Sequence, residues 1–281
     1  MLVALKIGRS GNQLFQFAAI EKILKPNERA VYINFRHLTD LLPGLGDYGS
    51  FFNLPIGWKR HTPLIEEILK IFARFRLIGG VYEEPGGGTL SRKNGLLPVT
   101  MFWGGWCQND QLLDVSTIAE VQVREAIPSL SSLRLEEGWN NGNVCFVHIR
   151  RGDYLTFPSE TNSAALPAEW VFARMQDFRA EYPGLKFFVL SDDSVHATKI
   201  FSHVDDVSVI DCGAREAFHL MSECTHGILS PSSFSWWAAK LSNLRRGGSF
   251  VAPYLWAGWN SGGWIPNEFV KSDFIRYETV A

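Results

Sequence analysis

The chain has 281 residues, 46% hydrophobic and 20% charged, with a formal net charge of −2. This describes an ordinary globular protein with ample core, in one large or two modest domains. It excludes a global pull toward nucleic acid, so any anion site has to be local.

Ten tryptophans and twenty phenylalanines suit sugar-handling clefts, but such residues fill cores more often. The four cysteines, Cys107, Cys145, Cys212 and Cys224, form no C-x-x-C pair. Cys145 and Cys212 lie in apolar strand-like runs, so buried thiols in a reducing compartment are expected rather than a disulfide framework or a zinc site. Met1 runs directly into LVALKI, with no basic leader and no long apolar run. The expectation is a cytoplasmic protein without an N-terminal membrane anchor.

Leu2–Ile7 reads as a strand, GRSGNQ (Gly8–Gln13) as a glycine loop, Leu14–Lys25 as a helix and Ala30–Asn34 as a second strand. In this β-α-β opening, Gly8 and Gly11 let a ligand approach the backbone, and Arg9 and Asn12 can point at the same ligand. His37–Lys59 reads as a surface loop. Leu64–Leu77 is an amphipathic helix with Ile65, Ile68, Leu69, Phe72 and Phe75 on its apolar face. A core-facing helix is expected, although Lys70, Arg74 and Arg76 would also suit a peripheral contact at the inner membrane face. Gly79–Val81 and Glu83–Gly88 read as turns around a short strand at Val81–Tyr82. Val99–Trp103 reads as a strand, Val115–Ala126 as a helix. The polar stretch Ser129–Gly142 marks a boundary, giving domains 1–135 and 136–281.

The second half alternates strands (Val144–Ile149, Lys186–Leu190, Val207–Ile210, Gly227–Leu229, Ser249–Ala252) with helices (Ala168–Glu181, Ser194–Phe201, Arg215–Cys224, Phe234–Leu241). Strict alternation predicts a parallel sheet with helices on both faces. Ligands of such sheets bind outside the carboxyl ends of the strands. Three polar loops should meet there: HIRRGD, SDD (Ser191–Asp193) and SPSS (Ser230–Ser233). Arg150 and Arg151 suggest a phosphate receptor, since guanidinium binds phosphate in a planar fork. The alternative is a salt bridge from Arg150 to Asp153 that shapes the turn. Ser232 or Ser233 is a natural N-cap for the helix beginning FSWW, and that helix end can hold a phosphate.

Two such domains facing across a cleft resemble the GT-B architecture of nucleotide-sugar glycosyltransferases, an α/β fold of two Rossmann-like domains. No Asp-x-Asp occurs in the chain. A departing diphosphate would then be stabilised by Arg150, Arg151, Arg9 and helix-terminal N–H groups, without a metal.

GRSGNQLFQFA, HIRRGDY and HLMSECTHGILSPSSFSWWAAKLS resemble, in order and spacing, three signature blocks of the α-1,2-fucosyltransferases, glycosyltransferase family eleven. FWGGWCQNDQLL resembles the block between the first two. The short length resembles the bacterial members. The resemblance implies inverting, metal-independent transfer of L-fucose from GDP-β-L-fucose to the 2-hydroxyl of a terminal β-galactose on an oligosaccharide, with no cofactor and no nucleic-acid partner. It places the first domain on the acceptor side and GDP-fucose on the second. Arg150 would contact the β-phosphate, His148 would lie near guanine, Asp153 would brace the loop, and Ser232 and Ser233 would face the phosphates. Arg9 and Asn12 would lie near fucose and diphosphate. With Arg150, Arg9 and Asp153 as the catalytic set, the donor-binding set adds Arg151, Gly11, Ser191, Asp192, Phe234 and Glu216.

Two positions depart from the family pattern. Ala217 stands where the family has an Asp that pairs with guanine, and Glu216 beside it points elsewhere on a helix. Pro231 replaces the usual Asn and stiffens the loop. For a general base the candidates are Asp40, Asp47, Asp153 and Glu160. The favoured alternative is a dissociative reaction in which a phosphate oxygen takes the proton, because Arg9 stands where a base might have been. A fucosyltransferase of other linkage, or a transferase of another nucleotide sugar, is the second reading.

Overall fold

The computed structural model describes residues 1–55, 62–84, 88–125, 143–267 and 269–280. The chain divides into two compact α/β units, Met1–Glu125 and Ala126–Ala281. The boundary expected between residues 135 and 136 falls outside the described residues.

The first unit holds β1 (Leu2–Leu5), β2 (Ala30–Ile33), β3 (Ser50–Phe52), β4 (Gly79–Glu83), β5 (Leu90–Lys93) and β6 (Thr100–Trp103). They form one sheet in the order β3-β2-β1-β6-β4-β5, parallel except for the β4–β5 pair. The first helix spans Ser10–Ile23, starting before the predicted Leu14. Gly11 and Asn12 therefore lie in its first turn, not in a loop. Gly8 is the residue of the turn that takes a left-handed φ of 68°; a Cβ there would sit 2.3 Å from Asn12 Nδ2. Two buried glutamines of this helix bind the turn back to the strand. Gln16 accepts from Ile7 N at 2.8 Å and donates to Leu5 O at 3.3 Å. Gln13 donates to Gly8 O at 3.2 Å and accepts from Leu38 N at 2.9 Å.

Three expectations for this unit are corrected. The stretch read as a surface loop from His37 contains a helix (Arg36–Leu41), a 3-10 helix (Pro43–Tyr48) and β3. Leu38, Leu41, Leu42 and Leu45 are buried there, so short apolar anchors hold it without long-range periodicity. Gly79 and Gly80 are not a turn but the start of β4, buried between β6 and β5. The helix Thr62–Arg74 does not turn its apolar face inward: Ile68, Phe72 and Phe75 are exposed.

The second unit holds β7 (Val144–Ile149), a small hairpin of β8 (Pro158–Ser159) and β9 (Asn162–Ser163), β10 (Lys186–Ser191), β11 (Val207–Ile210), β12 (His226–Ile228), β13 (Phe250–Pro253) and β14 (Ile275–Glu278). Its main sheet is wholly parallel, ordered β11-β10-β7-β12-β13-β14. Counted along the chain without the hairpin, that is the Rossmann order 3-2-1-4-5-6. The five predicted strands are present to within one residue at each end. β14 was not predicted; its four residues, IRYE, include two charges and give little apolar signal.

The central strand β7 is buried along almost its whole length because helices cover both faces. Cys145 and Val147 pack with Trp170, Val171, Met175 and Phe178 of helix Ala168–Glu181. Phe146 faces the other way, toward Phe250, on the side where Trp236 of helix Ser233–Arg246 meets Phe274. That helix ends at Gly247, which takes a left-handed φ of 65° and returns its N–H to Asn243 O. Cys145 is buried as expected, whereas Cys212, just beyond β11, is exposed.

Candidate functional site

In a sheet of this order the strand direction of growth reverses between β7 and β12, and ligands bind outside the carboxyl ends at that point. The chain places HIRRGD at the carboxyl end of β7 and SPSS after β12, with SDD at the carboxyl end of the adjoining β10. The three loops are joined by specific bonds.

Ser230 Oγ donates to His148 O at 2.6 Å and accepts from Arg150 N at 2.8 Å. Tyr154 donates its hydroxyl to Pro231 O at 2.9 Å, and burial pushes that hydroxyl up to about 12. The Arg150 guanidinium lies over the Tyr154 ring, 5.7 Å from its centroid. Arg150 Nη1 is 2.8 Å from Asp192 Oδ2, and Nη2 is 2.5 Å from Asp153 Oδ1. The expected salt bridge to Asp153 therefore exists, with Asp192 as a second carboxylate on the same guanidinium. Asp192 Oδ1 also accepts from Arg151 N at 2.8 Å. Arg151 Nε reaches Asp193 at 3.3 Å, and Asp193 caps helix Ser194–Phe201 by accepting from His196 N. Ser191 serves this turn, its Oγ accepting from Asp193 N at 3.0 Å.

Gly152 explains itself sterically. A Cβ there would stand 2.6 Å from Asp192 Oδ2, so the carboxylate reaches both arginines only because residue 152 has no side chain.

Ser232 is the N-cap of helix Ser233–Arg246, accepting from Phe234 N at 3.3 Å, and Ser233 opens the first turn. Phe234 packs on His148 (5.8 Å between centroids) and on Phe218 (5.5 Å). His148 is buried, and its Nδ1 has no hydrogen-bond partner among the described residues. Burial, and next the charge of Arg150, hold its pKa down to about 3, so the ring is neutral at physiological pH. Glu216 folds back over Gly213, whose Cβ would lie 2.6 Å from Glu216 Oε2; Ala217 behind it is half-buried.

The predicted residues thus fall into two groups. His148, Arg150, Arg151, Asp153, Ser191, Asp192, Ser232, Ser233 and Phe234 share one sheet edge of the second unit, and Glu216 starts a neighbouring helix of that unit. Arg9, Gly11 and Asn12 belong to the first unit. Arg9 is the exposed N-cap residue of helix Ser10–Ile23. Asn12 Oδ1 accepts from Gln108 Nε2 at 3.0 Å, which joins GRSGNQ to the end of the FWGGWCQ stretch. Glu83, at the carboxyl end of β4, accepts from Cys107 N at 3.2 Å in the same stretch.

Of the base candidates, Asp40 pairs with Arg36 at 3.5 Å, Asp47 with Arg124 at 3.7 Å and Asp153 with Arg150, while Glu160 is exposed. Sequence reasoning missed Ser230, Gly152 and Tyr154 as organisers of the edge. For Ser230 the available signal was its place as the first polar residue after an apolar strand.

The second unit is thus an α/β fold with a parallel, Rossmann-ordered sheet, and its switch point carries paired arginines, a buried histidine and a serine-capped helix. The chain belongs to glycosyl transferase family 11, whose model matches residues 92–258, more than half of its length. That span includes FWGGWCQ, HIRRGDY and the SPSS block but not GRSGNQ. The chain is similar to an alpha-1,2-colitosyltransferase of Escherichia coli, 36% identical over 120 residues, which is 41% of each chain. It is similar to galactoside alpha-(1,2)-fucosyltransferase 1 of Bos taurus, 28% identical over 249 residues, covering 84% of this chain and 64% of that one. The match thus spans about two-fifths of the first of these relatives and under two-thirds of the second. Among solved structures it is similar to the fucosyltransferase NodZ from Bradyrhizobium, 14% identical, with a TM-score of 0.47 over 85% of this chain and 93% of that chain. Among the described residues no helix is long and apolar enough to cross a membrane.

Proposed function

We propose that the chain is an inverting, metal-independent galactoside α-1,2-fucosyltransferase, taking L-fucose from GDP-β-L-fucose to the 2-hydroxyl of a terminal β-galactose. The observation that carries this reading is the Arg150 guanidinium, fixed between Asp192 and Asp153 at the carboxyl edge of β7. In the reaction, written as dissociative, the bond from fucose C1 to the β-phosphate oxygen breaks first and the acceptor oxygen then bonds to C1 on the opposite face. GDP leaves with the electron pair, and the hydroxyl proton passes to a phosphate oxygen. Arg150 meets the charge that develops on the β-phosphate, and the first-turn N–H groups of helix Ser233–Arg246 add to it.

The two carboxylates on Arg150 have different roles in this scheme. Asp192 is the less exposed and is held by Arg151 N as well, so it keeps the guanidinium aimed. Asp153, at 48% side-chain exposure, is the partner that yields to the incoming phosphate. The neutral His148 ring, whose Nδ1 has no hydrogen-bond partner among the described residues, suits a hydrogen bond to the guanine base.

A second reading is transfer of a related deoxysugar. It is favoured by the likeness to an alpha-1,2-colitosyltransferase. An acceptor screen decides: the chain, galactosides and either GDP-fucose or GDP-colitose, with linkage read by NMR, and EDTA in a parallel reaction. Fucosyl-α-1,2-galactoside formed at an undiminished rate in EDTA is expected. Exclusive use of the colitosyl donor selects the second reading; a product of other linkage, or loss of activity in EDTA, contradicts the proposal.

A further inference from the structure

Helix Thr62–Arg74 of the first unit displays a stripe that the proposed reaction does not use. Leu64, Ile68, Ile71, Phe72 and Phe75 recur at i, i+4, i+7, i+8 and i+11, the spacing of one helix face. All five are exposed, from 42% for Phe72 to 71% for Phe75. The next residues extend the stripe. Arg76 takes a left-handed φ of 55°, and the carbonyls of Arg76 and Leu77 accept the N–H groups of Leu96 and Leu97 at 2.8 Å each. Leu96 is 82% exposed; Leu77 and Leu97 are exposed as well. Five exposed apolar side chains on one helix face, with three more on the segments bonded at its end, mark an interaction site.

Charge selects the occupant. Lys70, Arg74 and Arg76 are exposed along this segment, and Lys93 is exposed on the adjoining β5. Lys70 and Glu67 pair with each other at 2.6 Å, which leaves Arg74, Arg76 and Lys93 against Glu66. The surface is therefore apolar with a positive border. A bilayer with acidic headgroups accepts the apolar side chains at the acyl boundary and meets the basic ones at the headgroup level. We infer that the helix Thr62–Arg74 stripe, with Leu77, Leu96 and Leu97, docks this protein flat on an anionic membrane surface.

The inference is independent of the reaction assigned above, and its test reads binding alone. The full chain is floated with vesicles of phosphatidylcholine, or of phosphatidylcholine with phosphatidylglycerol at three to one. Wild-type protein is expected to float with the anionic vesicles, less so in high salt. The double substitution Ile68→Asp with Phe75→Asp should lower the bound fraction at least tenfold at an unchanged melting temperature, since both side chains lie outside the core. A second variant, Arg74→Glu with Arg76→Glu, should abolish the preference for phosphatidylglycerol. Failure of the wild type to float with either vesicle, or equal flotation with both, would overturn the inference. So would a wild-type dimer in analytical ultracentrifugation that the Asp substitutions dissociate, which would assign the stripe to a second copy.

Discussion

The Ser230 hydroxyl accepts the backbone N–H of Arg150 at 2.8 Å while donating to His148 O of strand β7. One buried side chain from the end of β12 thus sets the backbone from which the Arg150 guanidinium projects. Ser230→Ala leaves the Arg150 N–H and the His148 carbonyl without that partner, at a cost of about 1–3 kcal/mol. The melting temperature should fall by roughly 2–4 °C per kcal/mol lost, and donor KM should rise. Calorimetric unfolding and steady-state kinetics on the same preparation check both; an unchanged melting temperature would deny Ser230 this role.

Gly152→Ala tests the fit of Asp192. The added methyl meets Asp192 Oδ2, which must swing away from Arg150 and Arg151 N. Since backbone and core are untouched, stability should change little, while kcat/KM for the donor should drop on the order of tenfold, about 1.4 kcal/mol. Wild-type kinetics in this variant would mean that Asp192 does not aim the guanidinium.

Acid should destabilise the protein in two stages. His148 is held down to about 3 by burial and then by Arg150, below its unfolded value of 6.5. Between those values the unfolded chain binds a proton that the fold refuses, so stability falls as pH falls through that window. His226, lowered by burial, adds in the same direction. Glu28 is held down to about 2 chiefly by its hydrogen bonds from Arg92, at 2.6 and 2.7 Å, so its contribution is present above 4.5 and is lost as pH falls toward 2. Melting temperature against pH should show decline beginning below pH 6.5 and steepening below 4.5. His148→Asn should flatten the first stage and Glu28→Gln the second.

Much of the second unit was legible in the sequence because its strands are short apolar runs, and two of its helices, Ser194–Phe201 and Ser233–Arg246, begin with polar caps. The edge loops could be placed for the same reason: Val144–Ile149 passes abruptly into Arg150-Arg151. The bonds that organise the edge were not legible. Ser230 and Ser232 look alike in SPSS, and only the position of β12 beside β7 decides that Ser230 bridges Arg150 while Ser232 caps the helix. Gly152 reads as a turn residue until Asp192, forty residues away in sequence, is seen against its Cα. In the first unit the amphipathic pattern of residues 64–75 establishes that an apolar face exists but not what covers it. Gln13 and Gln16, one turn apart on a buried helix face, could have been recognised as anchors of the preceding turn.

The proposed role of Arg150 is to stabilise the departing diphosphate, and the turnover of Arg150→Ala with GDP-fucose and a galactoside acceptor reads that role. A fall in kcat of about 10²–10³-fold is expected, equivalent to roughly 3–4 kcal/mol, with the fold intact by circular dichroism and only partial recovery in Arg150→Lys, which cannot offer a planar fork. Turnover at the wild-type rate in Arg150→Ala would contradict it.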